Sequence, residues 1–426
     1  MIHGASDRLA ARLPFFYGYI IIPVAMFVQI ATSPGQTFAI SAFTPSLRES
    51  LQISDSQLAL AYMLGTLLAA VPLAMVGALS DRYGLKGTTL VAITALSGTC
   101  YLASQVTGFV TLLAVFFLLR FLGQGSLSLL GSNAIAMWFR TRMGRVSAVM
   151  SIGTAIAFAW IPQWISHSID AIGWRATYQA IGAVVAMVML PMIVVLFRDR
   201  PEDVGQRVDG VPAATDDGRP QNVETTRSPS RSLTMSEALG GRAFYILTAT
   251  NTLWAMTGTG VVFYLFTLCQ DRGFETKVAA DLFKTFGLTM LVMQLLGGVL
   301  ADFLPLNKLL GVGMVMLCLG LGLIWTGQTE LAMHGFAAFF GGGQGLLLAV
   351  GAVVWVRYFG RDQLGSIRGA AWCCTVAGSG CGPLVMGVTR DRVGGFEPAI
   401  AAFFIAMCIL AFSAWWATPP IASRSE

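Results

Sequence analysis

Long runs of apolar side chains recur along this chain, and they limit its possible folds more than any other feature. A helix needs about 20 apolar residues to cross about 30 Å of hydrocarbon. Only 12% of the residues are charged, whereas soluble domains carry roughly 25%. The sequence therefore predicts an all-α membrane protein with twelve transmembrane helices in two six-helix halves, at 17–43, 57–79, 87–106, 109–134, 145–168, 174–197, 243–269, 278–301, 308–327, 332–357, 366–389 and 396–417.

The basic residues indicate the orientation of these spans, because short cytoplasmic loops carry an excess of lysine and arginine. With the amino terminus inside, most of the 27 lysines and arginines fall in cytoplasmic loops. The first run starts too far into the chain, and is too long, for a cleavable signal peptide. We expect both termini in the cytoplasm and, since no asparagine begins a glycosylation sequon, a bacterial inner membrane.

A polar stretch rich in charge, Pro and Gly separates the two sets of runs. It predicts a cytoplasmic linker at 198–240 between six-helix bundles at 1–197 and 241–426. Near its end, Ser232 or Thr234 is a candidate N-cap for a short surface helix that leads into the seventh span.

Three landmarks recur in the same order about 220 residues apart, which indicates an internal duplication. The matched pairs are Gly77 and Asp81 with Gly298 and Asp302, RFLGQG ending at Gly125 with FGGGQG ending at Gly345, and DAIGW from Asp170 with DRVGG from Asp391. Two parallel halves of this kind form a transporter architecture, with substrate handled near the membrane midplane.

The loop between the second and third spans reads GALSDRYGLK, from Gly77 to Lys86. It resembles the loop signature of the major facilitator superfamily, and the resemblance covers essentially the whole chain. It implies a transporter that works by alternating access, in which this loop latches the outward-facing state. The residues that would form the latch are Gly77, Asp81, Arg82 and Lys86, with Asp302 as the counterpart of Asp81 in the second half.

Each of these residue types has a physical reason to stand in such a loop. Gly77 permits close helix contact. Asp81 can cap a helix amino terminus or pair with a cation. Arg82 and Lys86 can anchor in the inner leaflet, and Leu85 stands where the superfamily usually has a basic residue.

Arg120, in LLRFLGQG, matches the arginine of the superfamily's fourth-helix motif, and Phe340 stands at its position in the second half. A charge near the centre of a span costs several kcal/mol unless it faces a cavity or a partner. Arg120 is therefore a candidate for substrate binding and coupling. The alternative is a structural role, with hydrogen bonds to the backbone of the first or fifth span.

Four segments are similar to the bacterial monocarboxylate transporter-like and oxalate/formate antiporter branch: FYGYIIIPVAMFVQ, WFRTRMGR, IGWRATY and RDRPEDVG. That branch usually holds its carboxylate with a basic residue in the eighth span, and many members add a lysine in the first. Gln294 stands at the former position, and the first span contains no lysine. Both usual anchors are thus missing.

Asp281 and Lys284 are the other charged residues placed inside a span, near the outer end of the eighth. Three residues apart on a helix, they can form a surface pair. Alternatively, Lys284 faces the outer cavity opposite Arg120, and the two cations attract an anionic substrate. Because no carboxylate other than Asp281 lies within a span, proton coupling through a buried acid is not visible. Facilitated diffusion, exchange and a co-transported proton, carried by the substrate or by Asp281 as a coupling residue, remain open.

Neutral polar and aromatic side chains are more numerous within the spans, where amides must find partners in a dry environment. They either join helices or contact substrate, and as a set they favour an amphiphilic organic solute. With Arg120 and Lys284, the candidate substrate contacts are Gln29, Gln36, Thr37, Tyr62, Asn251, Trp254, Gln294, Gln344 and Trp372.

The first span is interrupted by Pro34 and Gly35, with Gln36 and Thr37 directly after them. Pro34 donates no hydrogen bond to the carbonyl of Ile30. Such a break is tolerated only where protein or a watery cavity satisfies the freed groups. It is either a packing kink or a flexible gate with substrate contacts. In the eleventh span, GSGCGP at 378–383 allows tight packing and bending, which suits a moving gate helix.

The composition and motifs disfavour other classes of function. No nucleotide-binding loop, zinc-protease motif or nucleophile elbow is present, so we expect neither an enzyme nor a cofactor or metal. The positive-inside bias explains the net charge of +5 without a nucleic-acid partner. The preferred hypothesis is a monomeric transporter of a small organic anion or amphiphile. A multidrug exporter, which the missing Gly-Pro pattern of the fifth span disfavours, and a non-transporting receptor are the alternatives.

Overall fold

The computed structural model describes residues 15–139, 142–210, 233–360 and 363–419, and all regular secondary structure in these ranges is helical. Both termini, which were predicted to be cytoplasmic, and residues 211–232 of the predicted linker lie outside the described residues. The helices group into two compact units.

The described residues of the first half form seven α-helices: α1 (Gly18–Ala31), α2 (Thr37–Leu51), α3 (Asp55–Tyr83), α4 (Leu85–Ser104), α5 (Phe109–Leu119), α6 (Ser128–Trp138) and α7 (Met143–Leu196). A 3₁₀ turn (Ser33–Gly35) separates α1 from α2, and a π-helical stretch (Arg120–Leu127) joins α5 to α6. Two short 3₁₀ turns follow α7, at Pro201–Val204 and Val208–Gly210.

In the second half, residues 233–360 and 363–419 form eight α-helices: α8 (Met235–Gly240), α9 (Arg242–Phe263), α10 (Leu265–Asp271), α11 (Thr276–Phe303), α12 (Leu306–Thr326), α13 (Glu330–Phe359), α14 (Leu364–Val393) and α15 (Glu397–Ala414). α8 is the predicted short helix. Thr234 caps it in a reciprocal pair, because the Thr234 hydroxyl accepts from the backbone of Glu237 at 3.3 Å and the Glu237 carboxylate accepts from the backbone of Thr234 at 2.7 Å. Ser232, the other candidate cap, lies outside the described residues.

Nine helices of the described residues are long and apolar enough to cross a membrane, or ten if the bent pair α9 and α10 forms one span. The prediction of an all-helical membrane protein is thus confirmed. The count of twelve spans stays a prediction. α7 covers two of the predicted spans and leaves helical geometry at Gly173, where φ is 81°. The first predicted span is divided between α1, the 3₁₀ turn and α2.

Neither of the two compact units is one continuous segment of the chain. The first groups residues 1–51, 64–157 and 164–222, and the second groups 52–63 and 158–163 with 223–426. The first turns of α3 therefore pack with helices of the second unit.

Within the second unit, α9 and α14 approach so closely that glycine is required at their contact. A Cβ added to Gly382 would lie 1.9 Å from the carbonyl oxygen of Met256, and one added to Gly378 would lie 2.8 Å from the carbonyl oxygen of Thr252. The tight packing predicted for GSGCGP is thus present.

Candidate functional site

The first span is broken where the sequence predicted it, in the first unit. α1 ends at Ala31, and Gln36 has an extended backbone with φ −88° and ψ 146° before α2 begins. The Thr32 hydroxyl donates to the carbonyl of Gln29 at 2.7 Å, and the Ser33 hydroxyl donates to that of Ile30 at 2.5 Å. Local hydroxyl groups thus replace hydrogen bonds that the break removes.

The break packs against a second irregular segment, the π-helical stretch Arg120–Leu127. A Cβ on Gly35 would lie 2.1 Å from the carbonyl oxygen of Leu119 and 3.0 Å from the Cα of Gly123. Any larger side chain at Gly35 would push the two segments apart. Single π-helical turns occur frequently at functional sites, and this stretch begins at Arg120, a candidate for substrate binding and coupling.

Arg120 joins the two irregular segments. Its side chain is buried, with the residue only 4% exposed. Nε donates to the hydroxyl of Thr66 on α3 at 3.0 Å, and Nη1 donates to the carbonyl oxygen of Gly35 at 3.1 Å. The predicted alternative of a backbone contact in the first span is therefore present. Both of these acceptors are neutral, so these two bonds orient the guanidinium without cancelling its charge.

The other candidate substrate contacts of the first unit lie in the chain on either side of this break. Pro34 lies in the 3₁₀ turn, and Thr37 begins α2. Gln36 is half-buried and donates from Nε2 to the hydroxyl of Thr32 at 3.1 Å. Gln29 is half-buried in the last turn of α1. The structure thus places these polar candidates within a few residues of the carbonyl that Arg120 contacts.

The candidates of the second unit are more dispersed. Tyr62 is fully buried, with its ring centroid 4.7 Å from that of Phe263. Asn251, Gln294 and Gln344 are half-buried, on α9, α11 and α13 respectively. A Cβ on Gly258 would lie 2.5 Å from Nε2 of Gln344, so this amide points at α9. Trp372, on α14, is 61% exposed.

α9 carries polar atoms whose hydrogen-bonding capacity is not used within the described part of the protein. The indole Nε1 of Trp254 and the hydroxyls of Thr250 and Thr257 are buried there without a hydrogen-bond partner. At about 100° per residue these three positions share a face of α9 roughly 60° wide. Elsewhere, span threonines such as Thr99 donate to the carbonyl four residues earlier.

Asp281 and Lys284 form the surface pair that was one of the two sequence hypotheses. Lys284 Nζ lies 2.8 Å from Asp281 Oδ1, and the side chains are 38% and 31% exposed. A half-exposed pair on one helix face contributes little to stability. At the residue after Lys284, the hydroxyl of Thr285 lies 2.9 Å from Nδ1 of His334 on α13.

The loop signature lies at the end of α3 and the start of α4. Asp81 and Arg82 are exposed in the last turn of α3. No described atom would lie within 4 Å of a Cβ on Gly77, and the close helix contact expected there stays a prediction. In the second half, Asp302 pairs with Arg357 at 2.7 Å on the surface.

The amino terminus of α4 is held by Asp199, which the sequence did not single out. Asp199 Oδ1 accepts from the backbone of Lys86 at 2.6 Å, while Lys86 Nζ donates to the carbonyl of Val194 at 2.8 Å. Burial raises the pKa of Asp199, and the hydrogen bond from Lys86 opposes this rise. Lys86 thus fastens the start of α4 to the end of α7.

Replacing Gly84, at the junction of α3 and α4, is expected to lower the stability of the fold. Its φ of 83° and ψ of 155° are almost exclusive to glycine, and a Cβ would lie 2.5 Å from Asp199 Oδ2. Gly84→Ala should therefore lower the melting temperature, with a cost of about 1–3 kcal/mol. Gly87→Ala is the matched control, because a Cβ there meets nothing within 4 Å. Equal melting temperatures for the two variants would contradict this prediction.

Comparison with known proteins decides the family. A model described as Major Facilitator Superfamily matches residues 25–283, which is more than half of the chain. The chain belongs to the major facilitator superfamily. It is thus an integral membrane protein of a family of small-solute transporters, and the narrower resemblance to the monocarboxylate branch stays a prediction.

Two curated relatives are distant. An uncharacterised transporter of the superfamily, YhjX of Escherichia coli strain K12, is 22% identical over 292 residues, covering 67% of this chain and 67% of that protein. The hexuronate transporter of Bacillus subtilis strain 168 is 24% identical over 200 residues, covering 46% of this chain and 47% of that protein.

Two solved structures share the superfamily fold. One is a bacterial homologue of the human lysosomal transporter Spinster in an inward-facing, occupied conformation, with a TM-score of 0.70 and 13% identity over 95% of this chain and 97% of that one. The other is the nucleoside transporter NupG, with a TM-score of 0.68 and 12% identity over 95% and 99% of the two chains. At these identities the similarity concerns the fold.

Proposed function

We propose that the protein is a secondary or facilitative transporter of a small organic solute, an organic anion or an amphiphile. The observation that carries this proposal is the buried guanidinium of Arg120, oriented by the hydroxyl of Thr66 and the carbonyl of Gly35. A cation held in place where the first span is broken is suited to attract a carboxylate without a further change in its position.

Unused hydrogen-bonding groups support a solute that carries polar groups beside its charge. Trp254, Thr250 and Thr257 present buried donors and acceptors without partners among the described residues, and leaving such groups unpaired costs about 1–3 kcal/mol each. Hexuronates are organic anions rich in hydroxyl groups, and nucleosides also carry hydroxyl groups. The solutes named for these two proteins therefore carry hydroxyl groups, which are suited to hydrogen-bond the unpaired side chains of α9.

The proposed mechanism is alternating access by rocking of the two six-helix halves, 1–197 and 241–426, about a central site. The break at Pro34 and Gly35 would act as the flexible segment of the first span, with Gln36 and Thr37 as polar contacts for the solute. This assignment rests on the extended backbone of Gln36 and on the close approach of Gly35 to Gly123. Two irregular segments in contact can shift without breaking a regular helix.

Uptake by the purified protein in liposomes tests this proposal. The solutes are glucuronate, oxalate, uridine and a small aromatic acid, each offered under its own gradient, under an imposed proton gradient and against the same solute inside. We expect uptake of at least one organic anion well above that of protein-free liposomes. Dependence on the proton gradient would identify symport, and dependence on internal solute would identify exchange. Movement of none of these solutes under any gradient would contradict the proposal.

A further inference from the structure

Two cysteines of the second unit meet across the contact between α12 and α15. Cys318 lies near the middle of α12 and is buried, and Cys408 lies on α15 and is half-buried. Both are free thiols, and they are close enough for a hydrogen bond between them. Neither residue belongs to the candidate site described above.

Contacts on both sides of this thiol pair fix the register of the two helices. A Cβ on Gly311 would lie 2.9 Å from the indole of Trp415, and one on Gly322 would lie 3.5 Å from the ring of Phe404. Gly311 and Trp415 each lie seven residues along the chain from the nearer cysteine, towards one end of the contact. Gly322 and Phe404 each lie four residues from it, towards the other end. Since residues four and seven apart share a helix face, this antiparallel register places the two cysteines opposite each other.

The thiol pair lies at the edge of the helix contact that faces lipid. Ile405 and Ile409, on either side of Cys408 in α15, are exposed, and so are Val315 and Leu319 in α12. Both helices are long and apolar enough to cross a membrane, so exposed apolar groups near their middles meet hydrocarbon. Acyl chains therefore reach the edge of the pair, whereas charged reagents stay in the water outside.

These surroundings limit the reactions that the two thiols can undergo. The thiolate is the form that attacks disulfides and other electrophiles, and a charged group is costly in hydrocarbon. Transfer of a hydrogen atom from a neutral thiol creates no charge. Lipid peroxyl radicals, which form on oxidised acyl chains, accept hydrogen atoms from thiols in this way. They are thus the class of oxidant that suits both the position and the protonation of the pair.

We propose that Cys318 and Cys408 donate hydrogen atoms to lipid peroxyl radicals and end as a disulfide. A first peroxyl radical takes the hydrogen atom of one thiol and becomes a lipid hydroperoxide, which leaves a sulfur radical on the protein. A second peroxyl radical takes the hydrogen atom of the other thiol, and the two sulfur radicals combine. Each thiol loses one electron and one proton, one S–S bond forms, and two peroxyl radicals become two hydroperoxides.

The pairing decides what this reaction does to the membrane. A lone sulfur radical among acyl chains can take a hydrogen atom from a lipid and restart the oxidation, whereas one beside a second thiol is consumed as a disulfide. Gly311 and Gly322 allow α12 and α15 to approach closely, as a disulfide between facing residues requires. The reaction does not depend on the transported solute, so it goes beyond the proposed function.

Peptide mapping of the full chain in liposomes tests whether the pair reacts in this way. The liposomes contain dilinoleoyl phosphatidylcholine, and an azo initiator that dissolves in the bilayer generates radicals under air. Free thiols are then capped with N-ethylmaleimide in denaturant, and the digest is analysed by mass spectrometry without reduction. We expect the peptides linked through Cys318 and Cys408 to be at least about fivefold more abundant than without initiator.

Two variants test whether the pair protects the lipid. At a high ratio of protein to lipid, the unmodified protein should delay the accumulation of lipid hydroperoxides. Cys408→Ala leaves Cys318 without its partner and should shorten this delay at least about twofold. Cys100→Ala, which removes a buried cysteine of the first unit and keeps the pair, is the matched control and should leave the delay unchanged. Equal delays in Cys408→Ala and Cys100→Ala would overturn the protective reaction.

The chemical products and the source of the radicals provide the other decisive outcomes. Absence of the linked peptides, or oxidation of the two cysteines to separate sulfonic acids, would overturn the proposal. In liposomes of a saturated lipid, with a charged initiator that stays in water, we expect no linked peptides above the level without initiator. Equal formation there would show that water-soluble radicals oxidise the pair, and would also overturn the proposal.

Discussion

Replacing Arg120 with alanine is expected to abolish solute uptake. The guanidinium is buried and provides the positive charge beside the broken first span. Arg120→Lys should also reduce uptake, at least about tenfold, because an ammonium group cannot bind a carboxylate through the two parallel hydrogen bonds that a planar guanidinium forms. Initial rates in liposomes measure both effects, with the amount of reconstituted protein held equal.

A matched variant separates the charge of Arg120 from its structural role. Thr66→Val keeps the shape of the side chain and the charge of Arg120 but removes the acceptor of Nε. It should lower stability by about 1–3 kcal/mol and retain most of the uptake. If Arg120→Ala transports normally, or if Thr66→Val loses uptake to the same degree, then the cation does not bind the solute and Arg120 is structural.

Gly382→Ala is expected to give the largest loss of stability. The added methyl group would lie 1.9 Å from the carbonyl oxygen of Met256, a backbone atom that cannot move aside without separating α9 from α14. We expect a cost of about 3 kcal/mol or more, measured as a fall in melting temperature and in the yield of monodisperse protein in detergent.

Gly369→Ala is the control for this effect, because it lies in the same helix and a Cβ there meets nothing within 4 Å. This variant should be neutral or gain up to about 1 kcal/mol, since alanine favours helix over glycine. Similar melting temperatures for Gly369→Ala and Gly382→Ala would show that the contact between α9 and α14 is looser than the structure places it.

Several local features could be predicted because adjacent residues control them. The break at Pro34 and Gly35 follows from the missing amide of proline, and the helix cap at Thr234 follows from the spacing to Glu237. The pair between Asp281 and Lys284 follows from helical periodicity.

Features that depend on distant residues could not be predicted in the same way. Gly77 and Gly84 stand in the same sequence motif, and the positive φ of Gly84 together with the position of Asp199, more than 100 residues later, makes Gly84 the constrained one. The π-helical stretch at Arg120 was invisible, because its sequence resembles any apolar span with small residues. The charges of Asp55 and Arg390 were apparent at the ends of two spans, but their pairing was not.

The sequence by itself determined that this chain lies in a membrane as a bundle of helices and belongs to a transporter family. These properties depend on the number and spacing of apolar residues and on a short loop motif, which are local. The tertiary structure alone decided that Arg120 meets the broken first span at Gly35, and that the first turns of α3 belong to the second unit. Such contacts depend on helix packing in three dimensions, where residues far apart in the chain satisfy each other's charges and hydrogen bonds.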